Sequence, residues 1–178
     1  MLEIIAAKEQ YGVLLIDMQE RFLDKFRDSK KKNLIKRQIR LLKYSRISDL
    51  PLVALEFAEL GGTIQELRDH INLLKRHAYI VKDGNNGFFE DRLIEQLMYW
   101  RITNLILTGV NTSACVRDTA EGALKHDFCV TYIDDLVADF ESGNHKYFGW
   151  FLNNCLCFDR YDDFFQSKLL NQRTFKKI

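Results

Sequence analysis

Six short apolar runs punctuate the chain, at 11–17, 51–57, 78–82, 103–110, 128–134 and, more weakly, 155–158. Each is continuous rather than alternating, which suits strands covered on both faces of a parallel sheet. Helical spacing fills the gaps. Leu34, Ile35, Ile39, Leu41 and Leu42 recur on one side, with Lys36, Arg37, Arg40 and Lys43 on the other. Leu93-Ile94 and Leu97-Met98 repeat at an interval of four, as an amphipathic helix requires. Segment 114–125 gathers Val116, Ala120, Ala123 and Leu124 on one side, and 147–152 is a further apolar helix candidate. This alternation predicts an α/β fold: a three-layer, doubly wound, Rossmann-like and mostly parallel sheet of about six strands. With a single proline, Pro51, and no repeat or low-complexity stretch, residues 1–178 are expected to form one domain.

Sheets of this kind bind ligands at the carboxyl ends of their strands. Asp17 closes the first run and Lys82 the third, while Cys115 follows the fourth in a polar turn that opens a helix. A thiol among backbone N–H groups at the positive end of a helix is expected to be acidified below its free value of about 8.5. A thiolate attacks acyl carbon, and a nearby carboxylate can carry the proton. A nearby ammonium would hold both in place. Each residue also has a plainer role. An acid ending a strand often caps a helix, a terminal lysine often sits at a solvated edge, and a cysteine often packs as a small hydrophobe. Residue types alone leave both readings open.

The wording around the three residues is more specific. Leu14-Leu15-Ile16-Asp17-Met18-Gln19 with Phe22 resembles the first motif of the isochorismatase-like cysteine hydrolase superfamily. Lys82 followed by Asn86-Gly87-Phe88 resembles its lysine motif. The stretch 107–116, with Thr119-Ala120 beyond it, resembles its nucleophile motif. The likeness runs from about residue 11 to 139. It implies a catalytic triad of Asp17, Lys82 and Cys115 and a cis peptide between Val110 and Asn111. It also implies an oxyanion hole formed by the amides of Asn111 and Cys115. Gln19, Phe22, Phe57 and Phe88 become candidates for the substrate pocket, and Asn86 either reaches substrate or shapes a turn. The implied activity is hydrolysis of a small amide, or of a related carbamoyl or ureido C–N bond, through a thioester.

Departures from the family pattern narrow this reading. Members acting on nicotinamide usually bind a metal through an acid and histidines after the second strand. Here that region reads Glu56-Phe57-Ala58-Glu59, and the first histidine is His70. Glu56, His70 and His77 are read as solvated side chains, so no metal and no cofactor is expected. The chain looks like the short, metal-free members. True isochorismatases lack the cysteine nucleophile, so Cys115 argues against that activity. Glu20-Arg21 replaces the usual Asn-Asp pair, which alters the pocket rim.

Composition sets the remaining bounds. The 178 residues are 47% hydrophobic with a net charge of +1, too apolar for a wholly disordered chain. No apolar run approaches the roughly 20 residues of a membrane span. The first residues are too soon charged for a secretory segment. Four cysteines without a C-x-x-C pair suggest reduced thiols. Cys129, Cys155 and Cys157 fall in predicted strands and are expected to be buried, the last two facing opposite ways. A cytoplasmic protein with a small-molecule substrate is expected, with no nucleic-acid or membrane partner. Family likeness adds a homo-oligomer, a dimer or larger. Segment 25–46 holds ten basic residues and one acid, Asp28, and is read as a solvated helix face. The alternative function is a non-catalytic homologue that binds a small molecule or a protein through the same pocket.

Overall fold

The computed structural model describes the backbone of residues 10–140 and 145–174 and the side chains of 10–140 and 149–167. Every apolar run becomes a strand: β1 (Tyr11–Ile16), β2 (Leu52–Phe57), β3 (His77–Lys82), β4 (Asn104–Val110), β5 (Cys129–Ala138) and β6 (Leu156–Phe158). They form one sheet in the order β3-β2-β1-β4-β5-β6, and every adjacent pair is parallel. The continuous apolar pattern follows from cover on both faces. In β1, Val13 and Leu15 join one core cluster while Leu14 and Ile16 join the other. In β2, Leu52 and Ala54 divide from Val53 and Leu55 in the same way.

Seven α-helices are described: α1 (Glu20–Leu23), α2 (Asp28–Ile47), α3 (Gln65–Ile71), α4 (Asp91–Tyr99), α5 (Arg117–Lys125), α6 (His145–Asn154) and α7 (Tyr161–Thr174). The first cluster is closed by Leu34 and Leu41 of α2, Leu67 of α3 and Phe164 of α7. The second is closed by Leu93 and Leu97 of α4, Ala120 and Ala123 of α5 and Phe151 of α6. Among the described residues no helix is long and apolar enough to cross a membrane.

The chain runs outward from β1 to β3, then returns across the sheet to β4 and continues to β6. The switch point therefore lies between β1 and β4, where a doubly wound sheet opens a crevice at its carboxyl edge. Gly109 allows the two strands to close there. Its φ is +128°, and a Cβ would fall 2.0 Å from the Ile16 carbonyl oxygen. The β4–β5 register also shifts between Leu107 and Gly109.

Two expectations about cysteines are corrected. Cys129 is exposed, because it occupies the first position of β5 at the amino-terminal rim. Cys155 and Cys157 are half-buried and pack against the same cluster, since positions two apart on an extended chain share a face.

Candidate active site

Asp17 leaves β1 with φ 53°, a left-handed conformation that aspartate tolerates better than most residues. Its amide donates to the Leu55 carbonyl at 3.0 Å. This turn points the carboxylate under the sheet edge, where it is fully buried. Lys82 ends β3 and is also fully buried, not placed at a solvated edge. Its Nζ donates to Asp17 Oδ2 and to the Gly84 carbonyl, each at 3.0 Å, and lies 4.6 Å from the centre of the Phe57 ring. Asp17 Oδ1 is buried without a hydrogen-bond partner among the described residues. The Cys115 thiol interacts with the same carboxyl.

The peptide bond between Val110 and Asn111 is cis. The next residues, Thr112–Val116, form one π-helical turn, in which the Val116 amide donates to the Asn111 carbonyl at 3.0 Å. Insertions of this kind are frequent at functional sites. The Ser113 amide donates to Asp139 Oδ2 at 2.8 Å, tying the turn to the end of β5. Cys115 is 3% exposed, and the Asn111 backbone amide is directed at its sulfur. The Asn111 side-chain oxygen is buried and unpartnered among the described residues.

Electrostatics depart from the expectation of an acidic thiol. Burial pushes the Cys115 thiol up to about 12, and the Asp17 charge adds to the rise. Lys82 and the Asn111 amide oppose it without prevailing. Burial likewise raises the Asp17 carboxyl, against the pull of Lys82. The resting site therefore holds a neutral thiol beside a carboxylate that can take its proton.

Other candidates separate by geometry. Gln19 is fully buried and joins the loop after β1 to the end of β2. Its Oε1 accepts from the Phe57 amide at 2.7 Å and its Nε2 donates to the Phe57 carbonyl at 2.9 Å. Both ends of the side chain are thereby committed to backbone. Phe22 and Phe57 meet edge to face, 6.1 Å between centres, at the carboxyl edge. Phe88 packs into the second core cluster against His126 and Phe128, so its ring is used in packing. Asn86 shapes a turn, accepting from the Phe88 amide at 2.9 Å. Its neighbour Asn85, which sequence reasoning missed, is the residue beside the thiol. Cys115 Sγ lies 3.5 Å from Asn85 Oδ1.

Glu56 is corrected from solvated to buried. It accepts from the Thr63 amide at 2.7 Å and from Arg68 at 2.8 Å. A carboxylate already neutralised by a guanidinium does not fit a metal-ligand set. His77 turns instead to the Leu74 carbonyl at 2.9 Å. No three His, Cys, Asp or Glu side chains gather around a common point among the described residues.

The fold is that of a doubly wound parallel α/β protein, with the Asp17–Lys82 pair buried at its carboxyl edge. The isochorismatase domain model matches residues 11–157, and the chain belongs to that family. Solved structures agree on the fold. A ribonuclease of Caenorhabditis elegans has 19% identity and a TM-score of 0.75 over 85% of this chain and 77% of its own. A nicotinamidase of Staphylococcus aureus has 21% identity and a TM-score of 0.72 over 84% and 95%. A hydrolase of Escherichia coli, described as octameric and of unknown specificity, has 23% identity and a TM-score of 0.73 over 83% and 74%. No curated protein matches the chain.

Proposed function

We propose that this chain is a cysteine-dependent hydrolase of a small amide, or of a related carbamoyl or ureido C–N bond. The observation that carries this reading is the buried convergence of three groups. Lys82 occupies Oδ2 of Asp17, Oδ1 has no partner among the described residues, and the Cys115 thiol interacts with the same carboxyl. Cys115 Sγ attacks the acyl carbon as its proton passes to Asp17. The raised thiol pKa couples proton transfer to attack, because a free thiolate is disfavoured beforehand. The amides of Asn111 and Cys115 receive the developing oxyanion. Asp17 then protonates the leaving amine, the C–N bond breaks and a thioester remains. Water deprotonated by Asp17 releases the acid and restores the thiol. Lys82 holds Asp17 in register throughout.

An amide substrate brings N–H donors, and the unpartnered Asn111 Oδ1 can accept one. Phe22 and Phe57 wall the pocket. No cofactor takes part. Assembly as a homo-oligomer in the cytoplasm is part of the same reading, and the octameric relative supports the assembly. Ammonia release from a panel of small amides and ureides tests the activity. Turnover is expected for the native protein and its loss for Cys115→Ala and Asp17→Asn. Saturable ligand binding with no ammonia release would instead favour the non-catalytic homologue.

A further inference from the structure

At the carboxyl edge, Lys25 is an exposed cation with no carboxylate partner among the described residues. The neighbouring acids Glu20 and Asp24 are taken by Lys31. Lys30 is held by the Asp139 carbonyl, and Lys82 by Asp17. The Lys25 Nζ sits 4.9 Å from the centre of the Phe140 ring and 6.0 Å from that of Phe22. Phe140 follows β5 and Phe22 follows β1, and β4 lies between those strands. The ammonium therefore bridges the two sides of the strand whose end leads into Asn111 and Cys115. Phe22 in turn meets Phe57, and Phe57 meets the buried Lys82. Two aromatic rings thus connect a rim cation that has no carboxylate partner among the described residues to the buried Asp17–Lys82 pair.

We propose that Lys25 is a specificity-determining residue that selects substrates carrying an anionic group, such as a carboxylate, remote from the scissile C–N bond. This rests on the hydrolase reading above. The two rings offer the apolar body of such a substrate a surface, and they confine the lysine to the rim. Lys82 cannot serve the same anion, because Asp17 neutralises it.

The test compares two alkylating agents of equal length, N-iodoacetylglycine, an anion, and N-iodoacetylglycinamide, which is neutral. Rates at Cys115 are read by peptide mass, with exposed Cys129 as the internal reference. The anion-to-neutral ratio at Cys115 should exceed that at Cys129 by about 3- to 10-fold. Lys25→Arg should keep the excess, Lys25→Ala should remove it and Lys25→Glu should invert it. Equal ratios at the two thiols, or an excess unchanged in Lys25→Ala, would overturn the assignment.

Calorimetric binding of N-carbamoylglycine and N-carbamoylglycinamide to Cys115→Ser gives the same comparison without alkylation, and equal affinities would also overturn it. A charge preference in a protein that turns over no amide upholds Lys25 and sinks the hydrolase reading. Amide turnover without charge preference does the reverse.

Discussion

The Lys82 ammonium and the Asp17 carboxylate lie 3.0 Å apart, and neither side chain reaches solvent. A buried pair of this kind is held against the desolvation of both charges, so removing one partner costs far more than replacing both. Lys82→Ala should destabilise the fold by about 3–5 kcal/mol, whereas Asp17→Asn with Lys82→Met should be neutral or stabilising by about 1–4 kcal/mol. Urea unfolding compares the two. A double variant as unstable as the single one would mean that the pair is a net source of stability.

Burial raises the Asp17 carboxyl above its usual 3.8, so the folded state binds that proton more tightly than the unfolded chain does. Asp17 therefore costs stability as pH rises through the window between those two values. Asp17→Asn should remove this component from the pH dependence of unfolding. The acid limb of turnover should follow the same group, with its midpoint above 3.8. A limb centred at or below that value would contradict the burial effect.

The Cys115 thiol, at about 12, is protonated at neutral pH. Its alkylation by iodoacetamide should keep rising to pH 10 instead of levelling off near 8.5, and exposed Cys129 should react first. Lys82→Ala should slow Cys115 further, since the ammonium lowers the thiol pKa, as the Asn111 amide also does. A plateau at Cys115 with a midpoint below 8.5 would show that the helix start and Lys82 outweigh burial.

The sheet was legible because both-face burial forces continuous apolar runs, and all six runs became strands. The placement of Asp17 and Lys82 at strand ends and of Cys115 after β4 was legible because the apolar runs mark where each strand stops. The short α3 passed unnoticed because its seven residues give less than two turns of periodicity. The rise of the Cys115 thiol pKa was not legible, because a helix-end argument contains no measure of burial. Asn85 was missed in favour of Asn86 because the turn decides which of two adjacent amides faces the sulfur. Glu56 looked solvated because its partner, Arg68, comes from a helix that the pattern did not reveal.

Gly109 is the tightest approach in the site. Any Cβ there would stand 2.0 Å from the Ile16 carbonyl oxygen, on a backbone whose φ of +128° disfavours side chains. Gly109→Ala should push β4 away from β1 and cost about 3 kcal/mol or more. Gly61→Ala, with φ +81° but open space around it, separates backbone strain from collision. Thermal unfolding of both variants should show a much larger loss at Gly109, and equal losses would assign the effect to φ alone.

Asp139 ties down the turn that carries Cys115, the nucleophile of the proposed reaction. Its Oδ2 accepts from the Ser113 amide at 2.8 Å, two residues before Cys115, and its carbonyl anchors Lys30 of α2. Asp139 is 2% exposed, and truncation leaves the Ser113 N–H without this acceptor. That costs about 1–3 kcal/mol and frees the turn that presents both the thiol and the Asn111 amide. In the proposed reaction, a displaced thiol lowers the chemical step more than it weakens substrate binding, because the thiol acts only in the step that forms the new bond. Asp139→Ala should therefore reduce kcat about 10-fold or more with a small change in KM. Asp139→Asn, which keeps an acceptor oxygen, should recover most of the loss. A kcat unchanged in Asp139→Ala, or a loss confined to KM, would show that the turn holds the thiol in place without Asp139.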